Sequence, residues 1–210
     1  MTLHGWIIID KPLGLGSTNV VGWVKRALRE AGEPKTRVGH GGTLDPLATG
    51  VLPIAIGEAT KLAGHMLDAT KAYAFTIAFG AQTDTLDLEG KVIAESDHRP
   101  TLNEIQAILP RFTGPIDQVP PAFSALKVDG KRAYALARAG EEVVLKTRSV
   151  TVFALDVTDE GLADGLPLAA ITLCATVSKG TYIRSLARDR ALALGTVGHV
   201  TMLRRTKAGP

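Results

Sequence analysis

The spacing of apolar residues predicts short strands that alternate with amphipathic helices. From Val20, apolar residues recur at i, i+1, i+3, i+4, i+7 and i+8, which is the spacing of one buried helix face. The segment AYAFTIAFG instead alternates small residues with Tyr73, Phe75, Ile77 and Phe79, and a strand places these four on one face. The aromatic rings on that face indicate that it is buried.

Turn signals set the limits of the first elements. The run GWIII before DKP predicts a short buried strand that ends at a proline turn. Ser17 or Thr18 is placed to cap the helix that follows. Residues 32–50 hold five glycines and two prolines without periodicity. They predict a loop, the kind of segment that often carries chemistry.

The second half of the chain continues the mixed pattern. Thr101 and Glu104 have the spacing of a capping box, and Asp129-Gly130 is typical of a hairpin turn. Later segments alternate between strand and helix patterns. Hairpin signals beside helices favour a mixed α+β sheet over a parallel doubly wound one.

Composition excludes disordered and membrane-spanning classes. The chain has 210 residues, of which 45% are hydrophobic and 21% charged. Its longest uncharged stretch, residues 165–178, is shorter than the roughly 20 residues that span a bilayer. The N-terminus lacks the features of a signal peptide, so we expect a cytoplasmic protein. Cys174, the single cysteine, lies in an apolar run and is expected to be a buried, inert thiol.

Charge is distributed unevenly along the chain. The net charge is +3, but residues 81–118 are acidic and residues 179–210 carry seven basic side chains against Asp189 alone. A basic face of this kind suits a polyanion such as nucleic acid. The alternative is that these charges only solvate exposed faces.

Two segments carry candidate chemistry, and neither has zinc or nucleotide-cofactor spacing. In GHGGTLDPLATG, Asp45 stands among glycines that let a ligand approach closely. Its carboxylate could serve as nucleophile or general base, or merely form an Asx turn or helix cap. In SKGTYIRSLARD, Arg184 offers a bidentate partner for an anion and Tyr182 an aromatic face for a base. A surface ion pair and a core tyrosine are the alternatives.

Five segments together resemble the bacterial tRNA pseudouridine synthases of the TruB type, which modify uridine 55 in the T loop. These segments follow the order of that family: GWIIIDKPLGLGST, GHGGTLDPLATGVLPIAIGEATK, KAYAFTIAFGAQTDTLDLEG, QVPPAFSALKVDGKRAYALARAG, and SKGTYIRSLARD with HVTMLRRTKAG. Phe123 and Arg190-Ala191 depart from the usual residues of the family, but lie outside its catalytic set.

The resemblance implies a role for six residues. Asp45 would be the catalytic nucleophile, and Arg184 would be its ion-pair partner. The remaining four would contact the substrate: His40 by stacking on displaced T-loop bases, Tyr73 by packing on the target uracil, Tyr182 by contacting the RNA, and Leu203 by lining the uracil pocket.

The resemblance also implies a fold, a mechanism and partners. We expect a largely antiparallel mixed sheet flanked by helices, the pseudouridine synthase fold, with residues 1–210 forming the catalytic domain and the family's C-terminal RNA-binding extension absent. The carboxylate attacks or assists at the glycosidic bond, and the detached uracil rejoins through C5 without cofactor or metal. The expected partner is the T stem-loop of tRNA, bound by a monomer that does not associate with membranes.

Two other functions use the same features. A non-catalytic RNA-binding module would need the basic surface but not Asp45. An N-glycosidase would act on the same bond and release free base, whereas an isomerase would not. The reaction product therefore distinguishes the three hypotheses.

Overall fold

The computed structural model describes residues 3–159 and 165–209. The chain divides into two compact units. Unit 1 comprises residues up to 74 and from 202 onward, and unit 2 comprises residues 75–201.

The elements follow one another along the chain in a mixed order. The first are β1 (Gly5–Lys11), α1 (Ser17–Glu30), β2 (Val38–His40), β3 (Ala48–Ile56), a 3₁₀ segment (Gly57–Leu62), α2 (Ala63–Asp68) and β4 (Lys71–Phe79). Then come β5 (Ala81–Thr83), β6 (Val92–Glu95), α3 (Leu102–Ile108), a second 3₁₀ segment (Leu109–Phe112), β7 (Gly114–Gln118), β8 (Lys127–Val128), β9 (Lys131–Arg132) and α4 (Ala133–Arg138). The last are β10 (Arg148–Val157), β11 (Ala170–Val177), α5 (Ile183–Ala193) and β12 (Gly198–Ala208).

Strand β3 is the centre of the sheet in unit 1. On one side it pairs antiparallel with β1 through residues 50–56. Its other side pairs antiparallel with β2 through residues 54–56 and in parallel with β12, with Leu203 opposite Ala48 and Arg205 opposite Gly50. The apolar face of α1 contributes Val20 and Val21 to the core on this sheet.

Unit 2 is built on antiparallel pairs. Strand β10 pairs antiparallel with both β11 and β7, and β4 lies beside β11. Hairpins β5–β6 and β8–β9 add two small antiparallel sheets. Phe75 and Ile77 of β4 are fully buried, as the alternating pattern predicts.

The predicted α+β class with a mixed, largely antiparallel sheet is confirmed. The local signals are confirmed as well. Thr101 accepts a hydrogen bond from the Glu104 amide, and the Glu104 carboxylate accepts one from the Thr101 amide. Asp129 and Gly130 both take positive φ values between β8 and β9, as a tight hairpin requires. No helix in the described part of the chain is long and apolar enough to cross a bilayer.

Several sequence predictions are wrong in detail. Strand β1 is not buried: it lies at the edge of its sheet, and Ile7 and Ile8 are exposed. Residues 32–50 are not only a loop, since β2 and the start of β3 fall within them. Helix α1 begins at Ser17 after Gly16 as N-cap, so neither Ser17 nor Thr18 is the cap. Cys174 is partly exposed.

Candidate active site

The loop that carries Asp45 is fixed from the residue before it. The Leu44 amide donates to the Ser17 hydroxyl oxygen at 2.8 Å, and that hydroxyl donates to the Leu44 carbonyl at 3.1 Å. Both residues are buried. The Asp45 carbonyl accepts from the Ala48 amide at 3.0 Å, which closes a turn. Ser17 therefore serves to hold the loop rather than to cap α1.

A buried lysine holds the same loop from the residue after Asp45. Lys11 Nζ donates to the carbonyls of Pro12, Leu15 and Pro46, and its side chain is inaccessible to solvent. Burial lowers the pKa of Lys11, and the nearby negative charge of Asp45 opposes that shift. The ammonium group is thus a cation close to the Asp45 carboxylate as well as a clamp on its backbone.

Arg205 on β12 holds both ends of this loop. Its guanidinium donates to the carbonyls of Val51 at 2.7 Å, Gly42 at 3.1 Å and Thr43 at 3.4 Å. Strand β12 approaches so closely that a Cβ on Gly50 would lie 2.1 Å from the Arg205 carbonyl oxygen. Gly50 also has φ of +100°, which glycine adopts without strain.

Tyr73 and Leu203 pack against the same core as the loop. Burial raises the pKa of the Tyr73 hydroxyl. A hydrogen bond with Arg205 and the charge of that arginine oppose the rise, and the Asp45 charge adds to it. Tyr73 therefore lies within electrostatic reach of Asp45. Leu203 is partly buried opposite the start of β3. The structure thus brings three predicted residues, Asp45, Tyr73 and Leu203, to one region of unit 1.

His40 ends β2 and precedes the loop. Its Nδ1 accepts a hydrogen bond from the Gly42 amide at 3.4 Å, so the neutral ring carries its proton on Nε2. Burial and the positive charge of Arg205 lower the pKa of His40. The imidazole is accordingly neutral at pH 7, and a neutral ring is suited to stacking on a base.

The other two predicted residues lie in unit 2 at the start of α5. Arg184 is buried, and its guanidinium donates to the carbonyls of Thr85 at 2.7 Å and Phe123 at 2.9 Å. Tyr182 is the N-cap of α5. Its backbone amide and carbonyl are both hydrogen-bonded by the side-chain amide of buried Gln118.

Asp87 is a buried partner of Arg184 that sequence reasoning missed. Its carboxylate lies 3.5 Å from the guanidinium of Arg184 in a buried ion pair. It also accepts from the Thr85 hydroxyl at 2.6 Å and the Glu89 amide at 3.0 Å. Leu86 before it has φ of +64°, an uncommon backbone conformation for a leucine. The only sequence signal for Asp87 is its place in the TDTLDLEG segment, which forms part of the family resemblance but has no role assigned to it.

Part of the basic segment from residue 179 onward cannot belong to the phosphate-binding face that its charge predicts. Arg184, Arg190 and Arg205 are all buried. Arg204 forms a bidentate ion pair with Asp10, with N–O distances of 2.9 and 2.7 Å. These four charges are therefore either buried or ion-paired within the fold.

Within the described residues, no group of three or more His, Cys, Asp or Glu side chains could hold a metal ion. The groups that unit 1 brings together around the Asp45 loop are one carboxylate, the side chains of Lys11 and Arg205, and the rings of His40 and Tyr73. They can supply a nucleophile, charge stabilisation and an aromatic face.

Comparison with known proteins places the chain in one family. The model of the TruB family pseudouridylate synthase N-terminal domain matches residues 26–183. Proteins called tRNA pseudouridine synthase B from Novosphingobium aromaticivorans and Zymomonas mobilis are 66% and 60% identical over 208 residues. Each alignment covers 99% of this chain, and 68% and 67% of the relatives. The chain thus spans about two thirds of the length of these curated relatives.

Solved structures agree with this assignment. The crystal structure of a Cbf5-Nop10-Gar1 complex contains a chain with a TM-score of 0.70 and 32% identity, over 98% of this chain and 49% of that one. The structure of an H/ACA RNP bound to a substrate RNA containing 2′-deoxyuridine gives 0.69 and 28%, over 98% and 48%. Together with the family match over most of its length, these likenesses show that the chain belongs to the TruB family of pseudouridylate synthases.

Proposed function

We propose that this protein converts uridine 55 in the T loop of tRNA to pseudouridine, with Asp45 as the catalytic nucleophile. The observation that carries the proposal is the restraint on the Asp45 loop. Ser17, Lys11 and Arg205 hold its backbone at three separate points. Such preorganisation lowers the cost of placing a nucleophile against its target. The tRNA substrate is inferred from the name of the high-identity relatives, tRNA pseudouridine synthase B.

The reaction is an isomerisation in which no atom is gained or lost overall. The bond between N1 of uracil and C1′ of the ribose breaks, the base rotates, and a bond forms between C5 and C1′. The proton on C5 leaves, and N1 takes up a proton. No electrons are transferred to an outside acceptor, so the balance requires neither a redox cofactor nor a co-substrate.

Each predicted residue has a physical task in this reaction. The Asp45 carboxylate acts at the glycosidic bond, and Tyr73 offers its ring to the uracil. The family resemblance assigns Arg184 as the ion-pair partner of that carboxylate, and Asp87 and two carbonyls fix the direction of the guanidinium.

The remaining contacts serve the flipped nucleotide and its loop. Extruding a base from a folded RNA costs a few kcal/mol, and protein contacts must offset that cost. Neutral His40 stacks on displaced bases, Tyr182 contacts the substrate, and Leu203 lines the uracil pocket. We propose that the protein acts as a cytoplasmic monomer on the T stem-loop of tRNA.

The test uses an unmodified T-arm hairpin and carbodiimide mapping of pseudouridine along it. The wild-type protein should produce one modified position, and Asp45→Asn should produce none while binding the hairpin with similar affinity. The amide has nearly the shape of the carboxylate but is not a nucleophile. Turnover by Asp45→Asn near the wild-type rate would refute the assignment.

The same assay separates the alternatives. Release of free uracil from the hairpin would identify an N-glycosidase. Tight binding with neither free base nor pseudouridine would identify a non-catalytic RNA-binding module.

A further inference from the structure

A groove on unit 1 lies outside the site described above. It has a volume of about 870 Å³. Its walls are Lys25, Leu28 and Arg29 of α1, the segment 33–39, and Thr60 of the 3₁₀ segment that follows β3. We call it the basic groove.

Positive charge dominates the basic groove. Lys25, Arg29, Lys35 and Arg37 line it, and all four are exposed. Glu33 is the one carboxylate among the lining residues. Within the part of the chain that the structure describes, none of the four cations makes an ion pair with a carboxylate. Arg37 lies within electrostatic range of Glu58, but none of the four charges is held in an ion pair among the described residues, and a concave wall focuses them on a ligand.

The basic groove runs up to the candidate active site. Val38 and Gly39 of β2 line it, and the next residue on the same strand is His40. Consecutive strand residues are about 3.3 Å apart, so the lining of the groove ends one residue before His40, which precedes the Asp45 loop. Leu28 and Val38 give the groove an apolar floor between its cations.

We propose that the basic groove binds the sugar-phosphate backbone of the RNA next to the uridine that is modified. This inference rests on the proposed function and adds the surface that holds the RNA. Four cations that lack ion-pair partners complement phosphates, and the apolar floor fits the ribose rings between them. The basic groove would therefore contact the phosphates, which the buried arginines after residue 179 cannot reach.

The test compares two triple variants that remove the same charge. The groove variant is Lys25→Gln, Arg29→Gln and Arg37→Gln. The control is Arg26→Gln, Lys91→Gln and Arg111→Gln, three exposed residues outside the groove. For each protein, the affinity for a T-arm hairpin is measured between 50 and 200 mM salt, and the single-turnover rate is measured at saturating RNA.

The groove variant should have a salt slope shallower by about 2 to 3 than wild type, at 0.7 to 0.9 per phosphate contact. Over this salt range it should lose about 20- to 40-fold less affinity than wild type. Its single-turnover rate should stay unchanged, and the control should keep the wild-type slope. Equal slopes for the two variants would overturn the proposal. A reduced single-turnover rate with an unchanged slope would also overturn it.

A second measurement locates the RNA directly. K35C in a C174S background, labelled with benzophenone maleimide, should crosslink the hairpin on irradiation, and K91C in the same background should not. Equal crosslinking at both positions would refute the assignment of the groove. Failure of the proposed function is distinguishable, because it would show as a wild-type protein that binds the hairpin without forming pseudouridine.

Discussion

Replacing Arg190 with methionine should stabilise the fold. Arg190 on α5 is 1% exposed, and none of its three guanidinium nitrogens has a hydrogen-bond partner among the described residues. Burial lowers its pKa from the ordinary arginine value to about 10. At about 1.4 kcal/mol per pH unit, this depression corresponds to about 3 kcal/mol for holding the charge inside the fold.

The expected gain is smaller than that cost, since methionine does not fill all the space of the guanidinium. Methionine follows the course of the aliphatic stem and adapts to irregular gaps. Subtracting a cavity term leaves a net stabilisation of about 1 to 2 kcal/mol. For a chain of this size, each kcal/mol raises Tm by about 2 to 4 °C.

Urea unfolding at pH 7.5 measures the effect, with Arg190→Lys as a control that keeps a cation and should not be stabilised. The pH dependence tests the cause. Because the folded pKa is depressed, the unfolded chain binds the extra proton, so the penalty is complete below pH 10 and fades as the pH rises through that value. The gap between Arg190→Met and wild type should therefore narrow above about pH 10. A methionine variant less stable than wild type would show that the guanidinium makes favourable contacts in the fold.

Three further predictions concern the site. Arg184→Lys should slow single-turnover conversion on the order of 100-fold, because an ammonium group cannot reproduce the planar guanidinium that donates to two carbonyls and faces the Asp87 carboxylate; near-wild-type rates in a quench-flow assay would remove that residue from the site. Gly50→Ala should destabilise the fold on the order of 3 kcal/mol or more, because its Cβ would collide with the Arg205 carbonyl. Gly64→Ala is the control and should not destabilise the fold, since Gly64 has open space around it. Equal urea midpoints for the two variants would contradict the argument. The pKa of His40 is lowered in the fold, so wild type should lose stability relative to His40→Asn as the pH falls below about 6.5, and parallel urea midpoints at pH 7.5 and 5.5 would count against it.

The sequence pattern predicted those helices and strands that are determined by residues close together in the chain. The alternation around Phe75 depends only on the two-residue period of a strand. Thr101 caps helix α3 through hydrogen bonds with Glu104, which is only three residues away. By contrast, β2 is three residues long and exists because it pairs with β3. Its own residues carry no strand pattern. The apolar pattern predicted that Ile7 and Ile8 are buried. They are exposed because β1 lies at the edge, and the position of a strand depends on the order of strands in the whole sheet.

The candidate site divides in the same way. Asp45 could be singled out from its glycine-rich loop, and the family resemblance gave it a role. The groups that hold its loop could not be predicted from the sequence, because lysine and arginine side chains such as Lys11 and Arg205 are ordinarily expected at the surface. Their burial depends on carbonyls supplied by distant segments. Asp87 was missed for a similar reason, as its ion pair with Arg184 joins residues almost a hundred positions apart.

The parallel pairing of β12 with β3 makes the shape of the Asp45 loop depend on a contact formed across most of the chain. Arg205 reaches the Val51 carbonyl over 154 residues, and contacts of such sequence separation form slowly during folding. The Asp45 loop would therefore acquire its final shape after much of the fold exists. Fraying of the C-terminal end of β12 around Arg205 would release the loop while the rest of the strand stays paired in the sheet. Under mild denaturant or heating, loss of catalysis would then precede loss of helical signal, and protection of the β12 amides from hydrogen exchange would follow the enzyme's activity.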